Sequence, residues 1–168
     1  MSVNQPRPIK AISFDAGGTL LEPWPSVGQV YCDVAREFGI DSDPAQLTAA
    51  FGDAWRSRER FSYSREDWHA VVQLTFGRKI TRELFGAIYE RFTHPEVWRV
   101  YPDVEPALRK AREHGLKLAV ISNWDERLGP LLQNLGLRSY FDHLLISIEI
   151  GSHKPEPAIF EHAAREMK

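Results

Sequence analysis

An aspartate lies where a reactive carboxylate could be exposed. Asp15 directly follows the apolar run at residues 11–14, and Gly17 and Gly18 come within three residues after it. Glycine has no Cβ, so a ligand can approach the backbone closely at such a turn. The segment therefore predicts a carboxylate at the end of a buried strand, beside a turn that could admit a ligand.

Further polar groups occupy equivalent positions later in the chain. Ser122 and Asn123 follow the apolar run at residues 116–121, and Lys154 lies in the turn after the run at residues 144–146. Continuous apolar runs of this length are typical of strands buried on both faces of a parallel sheet. Because the loops after parallel strands converge on one rim, we expect a hydroxyl, an amide and an ammonium beside the carboxylate. This set predicts a polyanion site built around a nucleophile.

The order of these segments indicates an α/β fold. Each strand-like run precedes a turn signal and a helical pattern, which is the βα rhythm of an open α/β domain. Residues 22–98 contain no strand-like run and four amphipathic helical patterns, a block too long for an ordinary crossover connection. We therefore predict a Rossmann-like parallel-sheet core of three strands over residues 1–21 and 99–168. An all-α cap subdomain would be inserted at residues 22–98.

Composition and charge argue against several classes of partner. Lys plus Arg 21 against Asp plus Glu 23 gives a net charge of −2, which lacks the basic excess of a general nucleic-acid or anionic-membrane binder. No apolar run approaches the ~20 residues that a membrane helix needs. Cys32 is the one cysteine, so no internal disulfide can form, and we expect a reducing, cytoplasmic setting. Neither a nucleic-acid nor a membrane partner is expected.

The polar segments resemble the motifs of the haloacid dehalogenase superfamily of aspartyl hydrolases, in the subgroup with an inserted helical cap. Residues 14–20 (FDAGGTL) resemble its first motif, residues 121–123 (ISN) its second and residues 151–160 (GSHKPEPAIF) its third. The three motifs occur in the family's order, with room for a cap between the first two. The resemblance spans almost the whole chain.

This resemblance implies a magnesium-dependent phosphatase of a small phosphorylated metabolite. Asp15 would be the nucleophile that forms an aspartyl-phosphate, and Lys154 would be its catalytic partner, offsetting the negative charge of nucleophile and phosphate. Mg²⁺ would be held by Asp15 and by the backbone carbonyl of Gly17. The residues implied to bind the phosphate are Ser122, Asn123, Gly18 and Thr19.

Two departures from the family pattern change these expectations. The family's phosphatases usually carry a second aspartate two residues after the nucleophile, to protonate the leaving oxygen, and here that residue is Gly17. Loss of a general acid removes a factor of roughly 10² to 10⁴ in rate for a poor leaving group. The fourth motif, an acidic pair that completes the magnesium site, should follow residue 168, so the chain looks truncated before it and its expected activity is weak or absent. Asp125 or Glu149 could assist the metal, although Asp125 is better interpreted as the N-cap of a helix that begins at Glu126.

Two alternatives stay open. A 2-haloacid dehalogenase expels a halide, which needs no proton, so Gly17 would not slow it; that branch of the superfamily also lacks the second aspartate and uses no magnesium. Its carboxylate-binding arginine, and the aromatic residue it carries at the position of Gly17, have no match in this sequence. The other alternative is a non-catalytic member that binds a ligand or partner through the cap and the open edge of its small sheet, for example as a homodimer.

Overall fold

The structure, a computed structural model, describes residues 8–168 as a mixed α/β fold. Its strands, in chain order, are β1 (Ala11–Phe14), β2 (Leu21–Pro23), β3 (Trp98–Val100), β4 (Lys117–Ser122) and β5 (His143–Ile146). Its α-helices are α1 (Val27–Glu37), α2 (Pro44–Ser57), α3 (Arg65–Phe76), α4 (Arg82–Arg91), α5 (Val104–Glu113), α6 (Leu128–Asn134), α7 (Ser147–Ile150) and α8 (Pro157–Glu166). The first four, α1 to α4, are called the cap helices below.

The central sheet has three parallel strands in the order β1, β4, β5. The pairing of β1 with β4 begins with Ala11 opposite Lys117, and the pairing of β4 with β5 ends with Ser122 opposite Ile146. Parallel pairing places the carboxyl ends of all three strands on one rim, where the loops after them meet. The predicted α/β class with a three-stranded parallel core is confirmed.

Both faces of the sheet are covered by apolar packing. Successive side chains of a strand point in opposite directions, so neighbouring residues of β4 reach different clusters. Leu118 and Val120 of β4 belong to the apolar core shared with α5 and α6. Ala119 and Ile121, which alternate with them, pack in a separate cluster with Ile159 of α8. Burial on both faces explains why the sequence of β4 is apolar without interruption after Lys117.

A short antiparallel ribbon connects the sheet to the cap helices. In it β2 pairs with β3, with Leu21 opposite Val100 and Pro23 opposite Trp98. The expectation that residues 22–98 contain no strand is therefore wrong at both ends of that interval. Strands of three residues are too short to show a periodic pattern, and their pairing depends on two segments far apart in sequence. The division of the chain into domains at residues 22 and 98 stays a prediction.

Each of the cap helices begins after a polar side chain that caps it. The capping residues are Ser26, Asp43, Ser64 and Thr81, whose side chains accept hydrogen bonds from the amides of Gln29, Gln46, Asp67 and Leu84. Such caps satisfy one of the backbone amides that a helix leaves unpaired at its first turn. The apolar faces of the four helices then pack in a core of their own, with Leu84 and Ile88 fully buried in it.

Within residues 8–168, no helix combines the length and the hydrophobicity that crossing a bilayer requires.

Cys32 is buried in α1, and its Sγ donates to the carbonyl of Ser42 at 2.8 Å. The thiol is therefore packed and hydrogen-bonded rather than exposed to solvent.

Candidate active site

Asp15 is the centre of a polar cluster at the carboxyl rim of the sheet. Its Oδ1 accepts hydrogen bonds from the Ser122 hydroxyl and from the backbone amide of Ala16, both at 2.8 Å. Its Oδ2 lies 2.8 Å from Nζ of Lys154. The sequence predicts that these groups meet because they follow neighbouring parallel strands, and the structure brings them together. Their catalytic roles stay predictions.

Asn123 holds the loop that carries Lys154. Its Nδ2 donates to the Lys154 carbonyl at 2.8 Å, and its Oδ1 accepts from the Lys154 amide at 2.6 Å. Both polar atoms of the side chain are thus bonded to the backbone of a loop 31 residues away in sequence. In this arrangement the Asn123 side chain positions Lys154 against Asp15, and its role in binding a phosphate stays a prediction.

Ser147 supports the loop that follows β4, a role that the sequence analysis missed. Its hydroxyl accepts from the amide of Trp124 and donates to the carbonyl of the same residue, both at 3.0 Å. These bonds join the loop after β4 to the start of α7. The signal was present, because Ser147 directly follows the apolar run of β5, just as Asp15 follows the run of β1.

The glycine turn after Asp15 is closed by its own backbone hydrogen bonds. The amide of Gly18 donates to the carbonyl of Leu21 at 2.9 Å, and the amide of Thr19 donates to Ala16 at 3.2 Å. Gly18 has φ +73°, in the left-handed region that glycine adopts without strain. Gly17 and Gly18 line the cavity described below, but Thr19 is exposed and does not. The structure therefore does not bring Thr19 to the cluster, because the turn folds back on Ala16.

The indole of Trp124 occupies the space beside Gly17. A Cβ added to Gly17 would lie 3.1 Å from Cζ3 of Trp124, which is closer than ordinary van der Waals contact. A larger side chain at position 17 would therefore require the indole to move. The indole therefore borders the position at which a second aspartate was expected from the family pattern.

A cavity of about 450 Å³ extends from the polar cluster to the cap helices. Asp15, Ser122, Asn123 and Lys154 line its polar end. Its remaining wall is largely aromatic and contains Tyr31, Phe51, Trp55, Tyr63, Trp68, Phe85, Tyr89, Phe92, Trp98 and Trp124. Among the lining residues of the described chain, Asp15 is the single carboxylic acid.

Tyr63 brings the loop between α2 and α3 into the cavity wall. The residue is 7% exposed and has φ 65°, a left-handed conformation that is uncommon outside glycine. Burial raises the pKa of its hydroxyl, although the charge of Arg58 acts in the opposite direction. Its ring packs against those of Trp55 and Phe61, and no local sequence pattern predicts its backbone conformation.

Asp125 forms a buried ion pair with Arg127. Asp125 is 0% exposed, its Oδ2 lies 2.6 Å from Nη2 of Arg127, and its Oδ1 accepts from Nε at 2.8 Å. The prediction that Asp125 caps a helix beginning at Glu126 is wrong, because α6 begins at Leu128 without a side-chain cap. A buried guanidinium is costly without a carboxylate beside it, so the Asp125 side chain is placed against Arg127 rather than at the start of a helix. Glu149, the other acidic residue that was considered as a possible aid to the metal, is exposed.

Arg127 also contacts the cap helices. Its Nη1 donates to the carbonyl of Tyr89 at 2.8 Å, and its guanidinium carbon lies 3.6 Å from the centre of the Tyr89 ring. Burial opposes the charge of Arg127, but the hydrogen bonds and the charge of Asp125 outweigh it and raise the pKa of the guanidinium. The Tyr89 hydroxyl donates to Glu126 at 2.8 Å. These contacts fasten α4 to the loop after β4.

The described residues offer few ligands to a metal ion. Within residues 8–168 no group of three or more His, Cys, Asp or Glu side chains could hold one. Asp15 provides one carboxylate, and both of its oxygens already accept hydrogen bonds from neighbouring donors. Mg²⁺ is commonly bound by one or two carboxylates together with waters and phosphate oxygens. With one carboxylate available, a magnesium ion at this site would be held mainly by water and substrate.

The parallel sheet, the cap helices and the carboxylate–lysine pair define a mixed α/β protein with a candidate nucleophile at the carboxyl rim of its sheet. A family model described as haloacid dehalogenase-like hydrolase matches residues 9–168, and the chain belongs to that family.

Among curated relatives, the chain is 36% identical to the human haloacid dehalogenase-like hydrolase domain-containing protein 3, over 94% of this chain and 68% of that protein. Among solved structures, it resembles a HAD phosphatase from Thermococcus onnurineus, with a TM-score of 0.61 and 28% identity over 94% of this chain and 71% of the other. It shares the fold of an L-2-haloacid dehalogenase from Xanthobacter autotrophicus that has chloropropionic acid covalently bound. There the TM-score is 0.70 and the identity 22%, over 94% of this chain and 64% of the other.

Proposed function

We propose that this chain is a phosphatase that hydrolyses a phosphorylated small molecule through an aspartyl-phosphate on Asp15, with Mg²⁺ as cofactor. The observation that carries the proposal is the position of Lys154 and Ser122, each with a polar atom 2.8 Å from the Asp15 carboxylate. A fixed carboxylate between an ammonium and a hydroxyl suits an anionic substrate, whose charge the ammonium offsets as the reaction proceeds.

The reaction begins with attack of an Asp15 oxygen on phosphorus. The bond between phosphorus and the leaving oxygen breaks, and its electron pair stays on that oxygen. Ser122 and the Ala16 amide hold the plane of the carboxylate, while Lys154 stabilises the charge of nucleophile and phosphoryl group together. Water then hydrolyses the acyl phosphate, regenerating the Asp15 carboxylate, and both protons of that water leave on the inorganic phosphate.

Asp15 and the carbonyl of Gly17 are the groups that would hold the metal. When bound, Mg²⁺ supplies positive charge to the phosphoryl oxygens. Lys154 supplies a second positive charge from the protein itself, at 2.8 Å from the nucleophile. With a single carboxylate available, we expect weak binding of Mg²⁺ in the absence of substrate.

Gly17 determines how the leaving group departs. Since position 17 carries no acid and Asp15 is the one carboxylic acid among the described lining residues, the leaving oxygen departs without a proton from a carboxylic acid. The barrier then depends on how well that oxygen carries negative charge.

Turnover is expected to depend steeply on the pKa of the leaving group. Aryl phosphates with electron-withdrawing substituents should react at least about 10²-fold faster than an alkyl phosphate, because general acid catalysis is worth roughly 10² to 10⁴-fold. The test is kcat/KM over a series of aryl and alkyl phosphates with Mg²⁺, repeated with excess chelator, which should suppress turnover. Equal rates across the series would contradict the mechanism.

A 2-haloacid dehalogenase is the second candidate, favoured by the same absence of an acid at position 17. It needs a cation for the substrate carboxylate, and Arg127, the one arginine lining the described cavity, is already paired with Asp125 at 2.6 Å. The charged residues of the cavity therefore favour the phosphatase, because its substrate does not require a second free cation. Release of halide from 2-chloropropionate in the presence of chelator would select the dehalogenase instead. Pairing of two copies through an open edge of the sheet is a separate proposal, tested by the size of the protein in solution.

A further inference from the structure

The cavity wall formed by the cap helices is aromatic. Tyr31 lines it from α1, Phe51 and Trp55 from α2, Trp68 from α3 and Phe85 from α4. Aromatic side chains bury large areas and pack favourably against other rings in stacked or edge-to-face arrangements. A volume of about 450 Å³ lies within the usual range of small-molecule sites. The wall is therefore suited to a planar apolar group.

The same cavity offers no uncommitted charge to a second anionic group. Its charged lining residues, within the part of the chain that the structure describes, are Asp15, Lys154 and Arg127. Lys154 lies 2.8 Å from Asp15, and Arg127 lies 2.6 Å from Asp125. Desolvating a carboxylate or a second phosphate here would not be compensated by a free cation. The group attached to the phosphate should therefore be neutral.

The chemistry at Gly17 points to the same class of leaving group. An oxygen bonded to an aromatic ring delocalises the negative charge that it receives, so it can depart unprotonated. Position 17 carries no acidic side chain, and a Cβ there would lie 3.1 Å from Cζ3 of Trp124, so the aromatic wall extends to this point. Wall composition and leaving-group chemistry are separate observations, and both favour an aromatic ester.

We propose that the substrate of this site is the phosphate monoester of a neutral aromatic hydroxyl compound, whose ring occupies the cavity beneath the cap helices. The proposal rests on the proposed phosphatase function and adds the chemical class of the substrate to it. Phosphorylated carboxylic acids would be poor substrates, because the charged residues among the described lining are already paired and leave no cation for a second negative charge.

Binding of unreactive phosphonates to the wild-type chain tests the substrate class without depending on turnover. The ligands are 2-naphthylmethylphosphonate, methylphosphonate and phosphonoacetate, measured by titration calorimetry with Mg²⁺ present. The naphthyl ligand should bind at least about 30-fold more tightly than methylphosphonate, because its rings bury apolar area in the cavity. Its binding should also show the more negative heat-capacity change, the usual sign of apolar burial. Phosphonoacetate should bind no more tightly than methylphosphonate.

A variant that narrows the cavity provides the second measurement. Val27 lines the cavity from the first turn of α1 and is half-buried, so Val27→Phe should fill part of the space that the ring would occupy. We expect it to weaken the naphthyl ligand by about 10-fold or more and to leave methylphosphonate within about twofold. Glu37→Phe, at the exposed end of the same helix, is the matched control and should change neither.

The outcomes separate this proposal from the phosphatase proposal. If methylphosphonate binds and the naphthyl ligand binds no better, or if phosphonoacetate binds best, the aromatic class is overturned and the phosphate site stands. If no phosphonate binds but 2-naphthylmethanol does, the preference for a neutral aromatic group is supported and the phosphatase proposal fails. If 2-naphthylmethanol and the phosphonates all fail to bind, both are overturned. The wild-type ligand series decides the matter even if Val27→Phe does not fold.

Discussion

Asp15→Asn is expected to lower turnover of every phosphate ester by roughly 10⁴-fold or more, a loss of the size seen when a covalent nucleophile is removed. The amide keeps the size of the side chain but loses the charge that attacks phosphorus and pairs with Lys154 at 2.8 Å. The measurement is phosphate release in the steady state. Intact-mass analysis after acid quenching should show a phosphoryl adduct on the wild-type chain and none on the variant.

The matched control for this prediction is Asp53→Asn. Asp53 lies on α2 with a side chain 77% exposed, paired with Arg56 on the surface, and it does not line the cavity. It should keep wild-type turnover to within about twofold, as expected for a surface substitution. Asp15→Ala should be as inactive as Asp15→Asn, which guards against deamidation of the introduced asparagine. Retention of a tenth of wild-type activity by Asp15→Ala would place the nucleophile elsewhere.

Asp125→Ala is expected to lower the free energy of unfolding by about 3 to 5 kcal/mol. The substitution leaves the guanidinium of Arg127, which is only 10% exposed, without its carboxylate partner in a poorly solvated position. It also removes the acceptor of the Arg127 backbone amide, bonded to Asp125 at 3.0 Å. Urea unfolding followed by circular dichroism gives the change. A loss of this size is a large part of the stability of a small domain.

Two comparisons show whether burial of the pair is the cause. Asp33→Ala breaks the exposed pair with Arg36, whose side chains are 53% and 61% exposed, and should cost less than about 1 kcal/mol. The double variant Asp125→Ala, Arg127→Met removes both charges and should recover a substantial part of the loss, because no buried charge remains unpaired. If Asp125→Ala cost no more than Asp33→Ala, the electrostatic explanation would be wrong.

The parallel sheet and the meeting of Asp15, Ser122 and Lys154 could be predicted from the sequence because both depend on local patterns. A strand buried on two faces has a continuous apolar sequence, and a polar residue that follows it is placed on the carboxyl rim. Three such segments in one parallel sheet converge without any knowledge of side-chain contacts. The same reasoning extends to Ser147, which was overlooked although it follows β5 directly.

The features that could not be predicted depend on contacts between distant segments. The ribbon of β2 and β3 joins residues more than 70 apart in sequence, and neither strand has a pattern of its own. Asp125 has the residue type and position of a helix cap, and only the burial of Arg127 shows why it is an ion-pair partner instead. The exposed position of Thr19 likewise follows from hydrogen bonds that close its turn, not from the residue itself.

The ribbon of β2 and β3 has a mechanical consequence for the cap helices. Both chain connections to the cap helices pass through this ribbon, and Glu22 of one strand forms an ion pair with Arg99 of the other. The guanidinium of Arg99 also stacks 3.7 Å above the ring of Trp24, just beyond β2. Because the paired strands and this ion pair couple the two connections, a displacement of either one carries the other with it.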